Sequence, residues 1–277
     1  MVPLAGGEVS LGAVEYYPEE RPLRQAIVAP FLIDAAPVTN AAFAAFTTAT
    51  GYLTTAEQGV DGGVPGSFLF CMPQPDEDIR GIEDCWRFVE HACWRHPRGP
   101  GSTIAKMGDH PVVHVSRIDA DNFARWVGRR LPNEAEWEYA AQGGRHSTYP
   151  WGDELTAGGV HQANIWIGDF PIRKQEAFDR WLWTTPVGSY PANDFGLHDM
   201  IGNVWEWTSE PWSLPGAKHG SCCGSARDTI ARNVIKGGSH LCSPDFCQRY
   251  RSASRQPAEA TASFSHLGFR CAADRLP

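Results

Sequence analysis

Residues 196–210 read GLHDMIGNVWEWTSE, a run dense in aromatic side chains with Gly202 near its centre. Asp199 and Glu206 lie on either side of that glycine. Hard cations such as calcium take carboxylate and carbonyl oxygens from tightly wound loops, and this run offers both kinds of ligand. An aspartate cap and a solvated glutamate around a tryptophan cluster would give the same pattern. From the run alone, a calcium loop and a purely structural turn both stay open.

A second informative segment, Lys236 to Cys247, reads KGGSHLCSPDFC and places four residues between Cys242 and Cys247. On a helix the two thiols would point about 140° apart, so they converge only where Ser243 and Pro244 bend the chain. Two thiolates without neighbouring carboxylates suit a soft ion such as Cu(I) better than magnesium or calcium. A disulfide and a pair of buried thiols are the alternatives that the spacing leaves open.

The composition describes a chain that buries a sizeable core but forms little regular structure. Its 277 residues show no linker and no break in composition, which predicts one domain over residues 1–277. The 28 glycines, 21 prolines and 11 tryptophans indicate a loop-rich body held together by aromatic clusters.

Charge and terminal patterns limit the partners and the compartment. The net charge is -8 and no block of lysine or arginine could follow a phosphate backbone, so nucleic acid is excluded as a partner. The start MVPLAGGEVSLG lacks the features of a signal peptide, and no run approaches the roughly 20 apolar residues that cross a bilayer. We therefore expect a cytoplasmic protein with no membrane partner, and cysteines that are free or metal-bound. The cysteines without metal-ligand spacing, which we interpret as structural, are Cys71, Cys85, Cys93 and Cys271.

Helix caps and β-rich runs predict five elements. Ser116 with Asp119 and Asn133 with Glu136 form capping-box patterns, and glycines follow where the helices should end. The predicted elements are helices from Thr39 or Asn40 to Gly51, from Ser116 to Gly128 and from Asn133 to Gly143, and β-rich pieces at Val112 to Val115 and Asn233 to Leu241.

Several further clusters carry weaker signals. The region from Asn164 to Asp179 is a second oxygen-rich calcium candidate, or else an ordinary turn amide and a surface acid. No G-x-S-x-G elbow, GxGxxG or P-loop is present, which argues against the corresponding chemistries. The histidines of CWRHP and HPVVHVS, which are His96, His110 and His114, are expected to be structural. A zinc site could combine Cys222 or Cys223 with His219, His240 or Cys242.

Taken as a set, the motifs resemble the formylglycine-generating enzymes of the sulfatase-modifying factor family, over nearly the whole chain. RLP-x-EAEWEYAA and GN-x-WEW are shared by many proteins of this fold. The two cysteines are more discriminating, because relatives that share only the scaffold commonly lack them. The matching segments are PVTNAAFAAF from Pro37, CWRHP from Cys93, HPVVHVS from His110, RLPNEAEWEYAAQGG from Arg130, YPWGDE from Tyr149, ANIW from Ala163, FGLHDMIGNVWEWTSE from Phe195, KGGSHLCSPDFCQRYRSASR from Lys236 and LGFRCAAD from Leu267.

The resemblance implies the irregular, loop-rich α+β fold of that family, a C-type-lectin-like scaffold, in a monomer. It also implies a copper-dependent oxidase that acts on an unfolded or nascent sulfatase polypeptide. The substrate would carry a Cys-x-Pro-x-Arg segment, and its cysteine would become Cα-formylglycine with O2 as oxidant and an external thiol as reductant.

The likeness also implies roles for single residues at the cysteine segment. Cys242 and Cys247 match a near-linear pair of Cu(I) ligands, with the substrate cysteine entering as a third sulfur ligand. Trp205 and Ser239 match residues that line the family's oxygen pocket beside the metal.

Both calcium candidates gain from the resemblance. The side chains of Asp199 and Glu206 with the carbonyls of Gly202 and Val204 match one structural calcium site. The other set combines the side chains of Asn164 and Asp179 with the carbonyls of Ile165 and Trp181, and its alignment requires a one-residue insertion.

Two further expectations concern the surroundings of the site. Arg249 and Arg251 are expected to form ion pairs that support the turn, with substrate contact as the alternative. Secreted relatives link the cysteine of the GFRC motif to a cysteine on a helix, whereas the matching helix here offers Ala124. The resemblance therefore implies that Cys271 is a free thiol.

Three other classes of protein stay open at this point. A sulfoxide-synthase-like oxidase would hold iron in a set of histidines and usually carries a separate helical domain. A non-catalytic binding module on the same scaffold would keep its ligand affinity after Cys242→Ser. A zinc-structured protein would unfold on chelation, whereas a copper oxidase would lose activity and keep its fold.

Overall fold

The computed structural model describes residues 1–74, 77–175, 184–214 and 231–275. Its helices and strands are short and are joined by many turns and loops, which confirms the predicted loop-rich α+β fold. No helix in these ranges is long and apolar enough to cross a membrane. In chain order the elements are β1 (Val2–Leu4), β2 (Gly7–Leu11), β3 (Arg24–Val28), β4 (Phe31–Ile33), α1 (Asn40–Thr50), α2 (Thr55–Gln58), β5 (Gly66–Phe70), β6 (Trp86–Glu90), α3 (Arg117–Trp126), α4 (Glu134–Gln142), β7 (Thr156–Ala157), β8 (Val160–His161), β9 (Trp205–Pro211), β10 (Arg232–Lys236), β11 (Arg255–Glu259), β12 (Leu267–Gly268) and β13 (Ala272–Asp274).

The three helices predicted from capping signals begin where those signals place them. The Thr39 hydroxyl accepts the Ala42 N–H ahead of α1, and Gly51 ends that helix in the left-handed conformation. Reciprocal capping boxes start α3 after Ser116 and α4 after Asn133. Each cap satisfies N–H groups that the first helical turn leaves without partners, so these local residues decide where the helix begins.

The short helix α2 was not predicted, although its sequence contains the same kind of capping signal. Thr54 and Glu57 form a capping box in which each side chain accepts the other residue's backbone N–H. The helix spans only four residues. It is too short to show the apolar periodicity that usually reveals a helix, so only the cap could have indicated it.

The strands pair over long distances in the sequence. The main sheet has the order β11–β10–β9–β12, with β12 parallel to β9 and the other pairs antiparallel. In a second sheet β1 and β13 both pair with β4, which brings the two ends of the described chain together. The main sheet carries Trp205 and Glu206 on β9 and leads through β10 into the cysteine segment.

The β-rich piece predicted at Val112 to Val115 is not a strand. The Val112 N–H donates to the Val38 carbonyl, whereas the His114 N–H donates to the Phe264 carbonyl. His114 also has a φ of 58°, which turns the backbone away from the extended region. The apolar alternation of this segment therefore arises because it is buried between two different segments, those of Val38 and Phe264. It does not indicate a hydrogen-bond ladder with one partner strand.

The β-rich piece predicted at Asn233 to Leu241 ends earlier than expected, at Lys236. Gly237 follows with a φ of 94°. A Cβ atom at this position would lie 2.9 Å from both the Met200 carbonyl oxygen and the Trp137 ring. Glycine is therefore required here for its backbone conformation and for the close approach of its neighbours, and it interrupts the ladder.

An aromatic cluster joins α1 to α3. Phe43 is completely buried, and its ring contacts those of Phe46, Trp94, Phe123 and Phe269 with centroid separations of 5.2 to 6.3 Å. Most of these contacts are edge-on, the arrangement that the charge distribution of aromatic rings favours. The cluster confirms that aromatic side chains hold this loop-rich body together.

One buried ion pair links segments that are far apart in sequence. Arg270, just after β12, donates from Nε and Nη2 to the two carboxylate oxygens of Glu206 on β9 at 2.7 and 2.8 Å. Trp137 on α4 donates to the same carboxylate at 2.8 Å. Arg270 and Glu206 are both fully buried, so each charge depends on the other for its compensation.

We expect Arg270→Met to lower the free energy of unfolding by about 3–5 kcal/mol, because the variant leaves the Glu206 charge buried without its partner. The matched control is Arg145→Met, since Arg145 pairs with Asp194 at the surface and should contribute little. Urea unfolding followed by tryptophan fluorescence measures both variants. Equal losses would show that the buried pair has no greater role than a surface pair.

Candidate dithiol site

The cysteine segment forms a tight turn around the carbonyl of Ser243. That oxygen accepts the N–H groups of Phe246, Cys247 and Gln248 at distances between 3.1 and 3.3 Å. The Ser243 hydroxyl accepts the Asp245 N–H, which closes the turn from its other side. The chain thus bends after Cys242, as the Ser-Pro sequence predicts, and returns Cys247 toward it.

The two thiols are in hydrogen-bond contact, and neither belongs to a disulfide. The hydrogen bond from the Cys242 thiol lowers the pKa of Cys247 to about 6. The same bond, together with burial, raises the pKa of Cys242 well above its ordinary value. At neutral pH the pair therefore shares one proton, and the partly exposed Cys247 is the thiol that ionises first.

Both sulfurs line a cavity of about 170 Å³, and Trp205 and Ser239 lie in its wall. The structure thus brings together all four residues that the sequence singled out for the reactive site. Ser239 supports the turn, because its carbonyl accepts the Cys242 N–H at 2.9 Å and its hydroxyl accepts the Leu241 N–H at 3.2 Å. The Trp205 N–H donates to the His266 carbonyl at 2.8 Å, which fixes the start of β9 beside the residue that precedes β12.

Much of the remaining wall is aromatic or apolar, and apart from Phe246 in the cysteine segment its aromatic side chains come from segments that no motif marked. The rings of Phe170 and Phe246 stack with centroids 4.8 Å apart, and Trp86 lies 4.7 Å from the His266 ring. Trp86, Gln256 and His266 also line an adjoining cavity of about 560 Å³. The two cavities share these wall residues and therefore lie side by side, and we call the pair of them the groove. Because its walls come from separate segments, only the fold could reveal them.

Asn203 is a positioning residue that sequence reasoning overlooked. Its carbonyl accepts the His240 N–H and the His240 ring at 3.0 and 2.7 Å. Its fully buried side chain exchanges hydrogen bonds with the Thr185 backbone and lies 3.4 Å from the Asn164 amide. Asn203 therefore holds the start of the cysteine turn against the loop of residues 199–204. Its place in the GN-x-WEW motif was the signal available from the sequence.

The two arginines after the turn form the ion pairs that we predicted. Arg249 lies 2.6 Å from the Glu19 carboxylate, and Arg251 binds Glu20 through two hydrogen bonds of 2.7 and 2.8 Å. Arg251 and Glu20 are both buried. Arg249 also lines the thiol cavity, so its charge faces the groove as well as the ion pair.

The first predicted calcium set lies on a tightly wound loop. Asp199 and Gly202 have φ values of 53° and 72°, and Val204 leads directly into β9. Burial raises the pKa of Asp199, while the Gly188 N–H, which donates to its carboxylate at 2.7 Å, and the nearby charge of Arg270 act to lower it. The Asp199 carboxyl and the Gly202 and Val204 carbonyls offer oxygens to a calcium ion, whereas both oxygens of the Glu206 carboxylate are already bound by Arg270.

The second predicted calcium set is described only in part. The buried Lys174 ammonium donates to the Asn164 side-chain oxygen at 3.2 Å, so this oxygen already has a cationic partner. Calcium at this set would compete with Lys174 for Asn164, as calcium at the first set would compete with Arg270 for Glu206. Asp179 and Trp181, the other two members of the set, lie outside the described residues.

The histidines of HPVVHVS are core residues, as expected. His110 and His114 are buried and lie within hydrogen-bond distance of Thr184 and Ser67, at 2.9 and 2.8 Å. Burial lowers the pKa of both, to about 4 for His114, so both are neutral at physiological pH. His96 lies outside this core and bonds through its ring to a carbonyl.

No other metal site emerges from the part of the chain that the structure describes. Within it, no group of three or more His, Cys, Asp and Glu side chains could hold a metal, so neither a histidine iron set nor a zinc set forms there. Cys271 is a buried free thiol, as predicted. Three further free thiols in these ranges are Cys71, Cys85 and Cys93, while Cys222, Cys223 and His219 lie outside the described residues.

Comparison with known proteins agrees with the motifs. A family model described as the sulfatase-modifying factor enzyme 1-like domain matches residues 1–275. The chain belongs to this family. The formylglycine-generating enzyme of Mycobacterium tuberculosis is 47% identical over an alignment that covers 99% of this chain and 97% of that protein. The resemblance inferred from the sequence is therefore confirmed.

Membership of the sulfatase-modifying factor family fixes the fold more firmly than the chemistry. The solved structure of PvdO from Pseudomonas aeruginosa matches with a TM-score of 0.68 at 25% identity, over 99% of this chain and 93% of that one. A mouse protein named inactive C-alpha-formylglycine-generating enzyme 2 is 36% identical and covers 98% of this chain, with 85% of its own length matched. The family therefore includes inactive members, and catalysis has to be argued from the thiol site itself.

The thiol pair predicts selective alkylation at Cys247. Iodoacetamide should label Cys247 at neutral pH, and the rate should fall as the pH drops through about 6, because protonation removes the thiolate. Cys242 is buried and protonated and should stay unlabelled. Cys242→Ala removes the hydrogen bond that stabilises the thiolate, so labelling of Cys247 at neutral pH should slow severalfold.

Mass spectrometry of the digested protein locates and quantifies the label. Cys271→Ala is the matched control, since it removes a buried thiol away from the turn and should leave the Cys247 rate unchanged. A Cys247 rate that rises only near the ordinary thiol pKa of about 8.5 would contradict the hydrogen-bonded pair.

Proposed function

We propose that this protein converts the cysteine of Cys-x-Pro-x-Arg segments in sulfatase polypeptides to Cα-formylglycine, using copper, O2 and an external thiol. The observation that carries this proposal is the contact between the Cys242 and Cys247 thiols in the wall of one cavity, beside a second cavity of about 560 Å³. A scaffold that only binds a ligand has no need of a reactive thiol pair, so the pair favours the enzyme over the binding module.

The donor atoms of the cavity fit copper(I). They include two sulfurs, one of which is already ionised at neutral pH, and no aspartate or glutamate is among the described residues of the cavity wall. Soft donors without hard oxygen ligands favour copper(I) over magnesium, calcium or manganese. Cys242 and Cys247 would hold the ion. When bound, copper(I) supplies redox chemistry with O2 and a coordination position for the substrate sulfur.

The thiol pair is prepared for metal binding by its single shared proton. Cys247 is already ionised at neutral pH, so only the proton on Cys242 has to leave. The Arg249 guanidinium in the cavity wall offsets part of the negative charge that this loss creates. Metal affinity should therefore rise with pH, because protons and metal compete for the same sulfurs.

The groove suits an extended peptide segment. Trp86, Phe170 and Phe246 give it apolar walls, and Phe246 is 54% exposed, so its ring is available for contact with a ligand. Gln256 and His266 add polar side chains that can bind main-chain groups of a peptide. Apolar walls with a few polar groups are typical of binding grooves, and they exclude water from the bound sulfur.

Electron balance accounts for the external thiol. Conversion of the cysteine side chain to an aldehyde releases the sulfur as sulfide and removes two electrons. Reduction of O2 to water accepts four electrons. The other two electrons come from two external thiols, which form a disulfide. One oxygen atom of O2, or of water in exchange, ends in the aldehyde, and the rest of the oxygen leaves as water.

The activity test combines copper-loaded protein, a Cys-x-Pro-x-Arg peptide, O2 and a thiol, with the aldehyde detected by mass spectrometry. Wild type should form the aldehyde, and Cys242→Ala or Cys247→Ala should form none. The copper(I) affinity of each variant should also fall. The decrease should exceed the roughly 10–100-fold loss of metal affinity that is typical of substitutions outside the ligand shell. Competition with a copper(I) chelator measures that affinity without turnover.

Cys271→Ala again provides the matched control and should keep both aldehyde formation and copper affinity, because Cys271 lies outside the cavity wall. Failure of wild type to form the aldehyde, or equal turnover by Cys247→Ala, would overturn the proposed function. Copper binding without turnover would instead favour a metal-binding scaffold.

We further propose that one calcium ion binds the side chains of Asp199 and Glu206 with the carbonyls of Gly202 and Val204. The support is the buried Asp199 carboxyl on a tightly wound loop, whose raised pKa marks an incompletely compensated charge. The set of Asn164, Ile165, Asp179 and Trp181 stays a prediction, because Asp179 and Trp181 lie outside the described residues.

Calcium titration by calorimetry should give one equivalent per chain at the Asp199 loop. Saturating calcium should raise the unfolding midpoint, since about 2.7 kcal/mol is gained at a hundredfold excess over the dissociation constant. Asp199→Ala should abolish the binding, whereas Asp169→Ala, which removes an exposed acid near Asn164, should not. Calcium binding that is unchanged in Asp199→Ala would contradict the assignment.

A further inference from the structure

The segment of residues 16–20, YYPEE, packs against the cysteine turn although more than 220 residues separate them in sequence. Its two glutamates, Glu19 and Glu20, are the ion-pair partners of Arg249 and Arg251. The Arg251–Glu20 pair is buried and joined by two hydrogen bonds, so its geometry is tightly defined. The arginine run after the turn is thereby fixed to the amino-terminal segment.

Tyr17 is the residue of this segment that reaches the turn itself. Its ring lies over the Arg249 guanidinium, 3.6 Å from the ring centroid to the guanidinium carbon. Its hydroxyl donates to the Cys247 carbonyl at 2.5 Å. Tyr17 thus contacts the residue that bears the second sulfur and the arginine two positions later.

The Cys247 carbonyl is a sensitive point in the turn. The next residue, Gln248, has a φ of 47°, a conformation that side chains other than glycine adopt at some cost. The Gln248 carbonyl is itself bound by Arg251 at 2.8 Å. Two donors from outside the turn, Tyr17 and Arg251, therefore fix the consecutive peptide planes that carry the backbone away from Cys247.

We propose that Tyr17 is a positioning residue for Cys247, whose hydrogen bond to the Cys247 carbonyl keeps the second sulfur in contact with Cys242. Tyr17 is not among the residues that line the thiol cavity, so it acts through the backbone of Cys247 and not on a substrate. Its consequence for copper binding rests on the proposed function, whereas its effect on the proximity of the two thiols does not.

The test compares Tyr17→Phe with Tyr16→Phe in the full-length protein. Phenylalanine at position 17 keeps a ring over Arg249 and removes only the hydroxyl. Tyr16 is the matched control because its ring lies over Arg251 at the same 3.6 Å distance while its hydroxyl makes no hydrogen bond to the turn. The unfolding midpoints of both variants confirm that each is folded.

The first measurement is made without metal. It determines the equilibrium between the Cys242–Cys247 dithiol and its disulfide in dithiothreitol buffers. This equilibrium reports the effective concentration of one thiol at the other. Tyr17→Phe should shift it toward the dithiol by about 2- to 10-fold, the effect of losing one ordinary hydrogen bond, and Tyr16→Phe should shift it less than about 2-fold. Copper(I) affinity, measured by chelator competition, should fall in Tyr17→Phe in the same range.

An unchanged dithiol equilibrium in Tyr17→Phe, or an equal shift in Tyr16→Phe, would overturn the positioning role. A wild type that binds no copper(I) and forms no aldehyde, while its dithiol still responds to Tyr17→Phe, would remove the proposed function and leave the positioning role intact. A shift in the dithiol equilibrium together with a matched loss of copper affinity supports both.

Discussion

The ion pair between Arg270 and Glu206 is the interaction on which the position of the site depends. It is buried, so water cannot stabilise either charge, and each remaining contact of the guanidinium is with a main-chain carbonyl. Through Trp137 the same carboxylate is joined to α4. Gly237 lies against the Trp137 ring, so the path of the chain from β10 into the cysteine segment is fixed by this junction.

In this fold, hydrogen bonds that involve polar side chains hold the backbone in place, as longer strands and helices do in other folds. Asn203 binds the backbone ahead of the cysteine turn, the Ser243 carbonyl gathers three N–H groups within it, and Arg251 with Glu20 secures the backbone after it. Buried irregular backbone needs a specific partner for each polar group, because no ladder supplies one. Two sulfurs can therefore be held in contact within a loop-rich region, provided that each of these partners is present.

Sequence signals predicted the features that local forces determine. The capping box at Ser116 starts a helix, and Pro244 bends the cysteine segment, because each acts on backbone within a few residues. The groove walls, such as Trp86, meet only through distant strand pairing, which no local spacing encodes. The strand predicted at residues 112–115 does not form, because the apolar alternation of this segment reflects burial and not pairing with another strand. The contact between Lys174 and Asn164 has no sequence signal either, because it depends on how the loop between them folds.

The unequal burial of the two thiols has a chemical consequence. Cys242 is enclosed and keeps its proton, whereas Cys247 lies nearer the groove and is ionised first. An incoming soft cation would meet a thiolate and then displace one proton, without rearranging the turn. Structural metal sites are closed by protein ligands on all sides, whereas catalytic ones keep a position open. A pair with one fixed sulfur and one accessible sulfur, beside a groove with apolar walls, therefore suits chemistry on a bound peptide better than a structural metal.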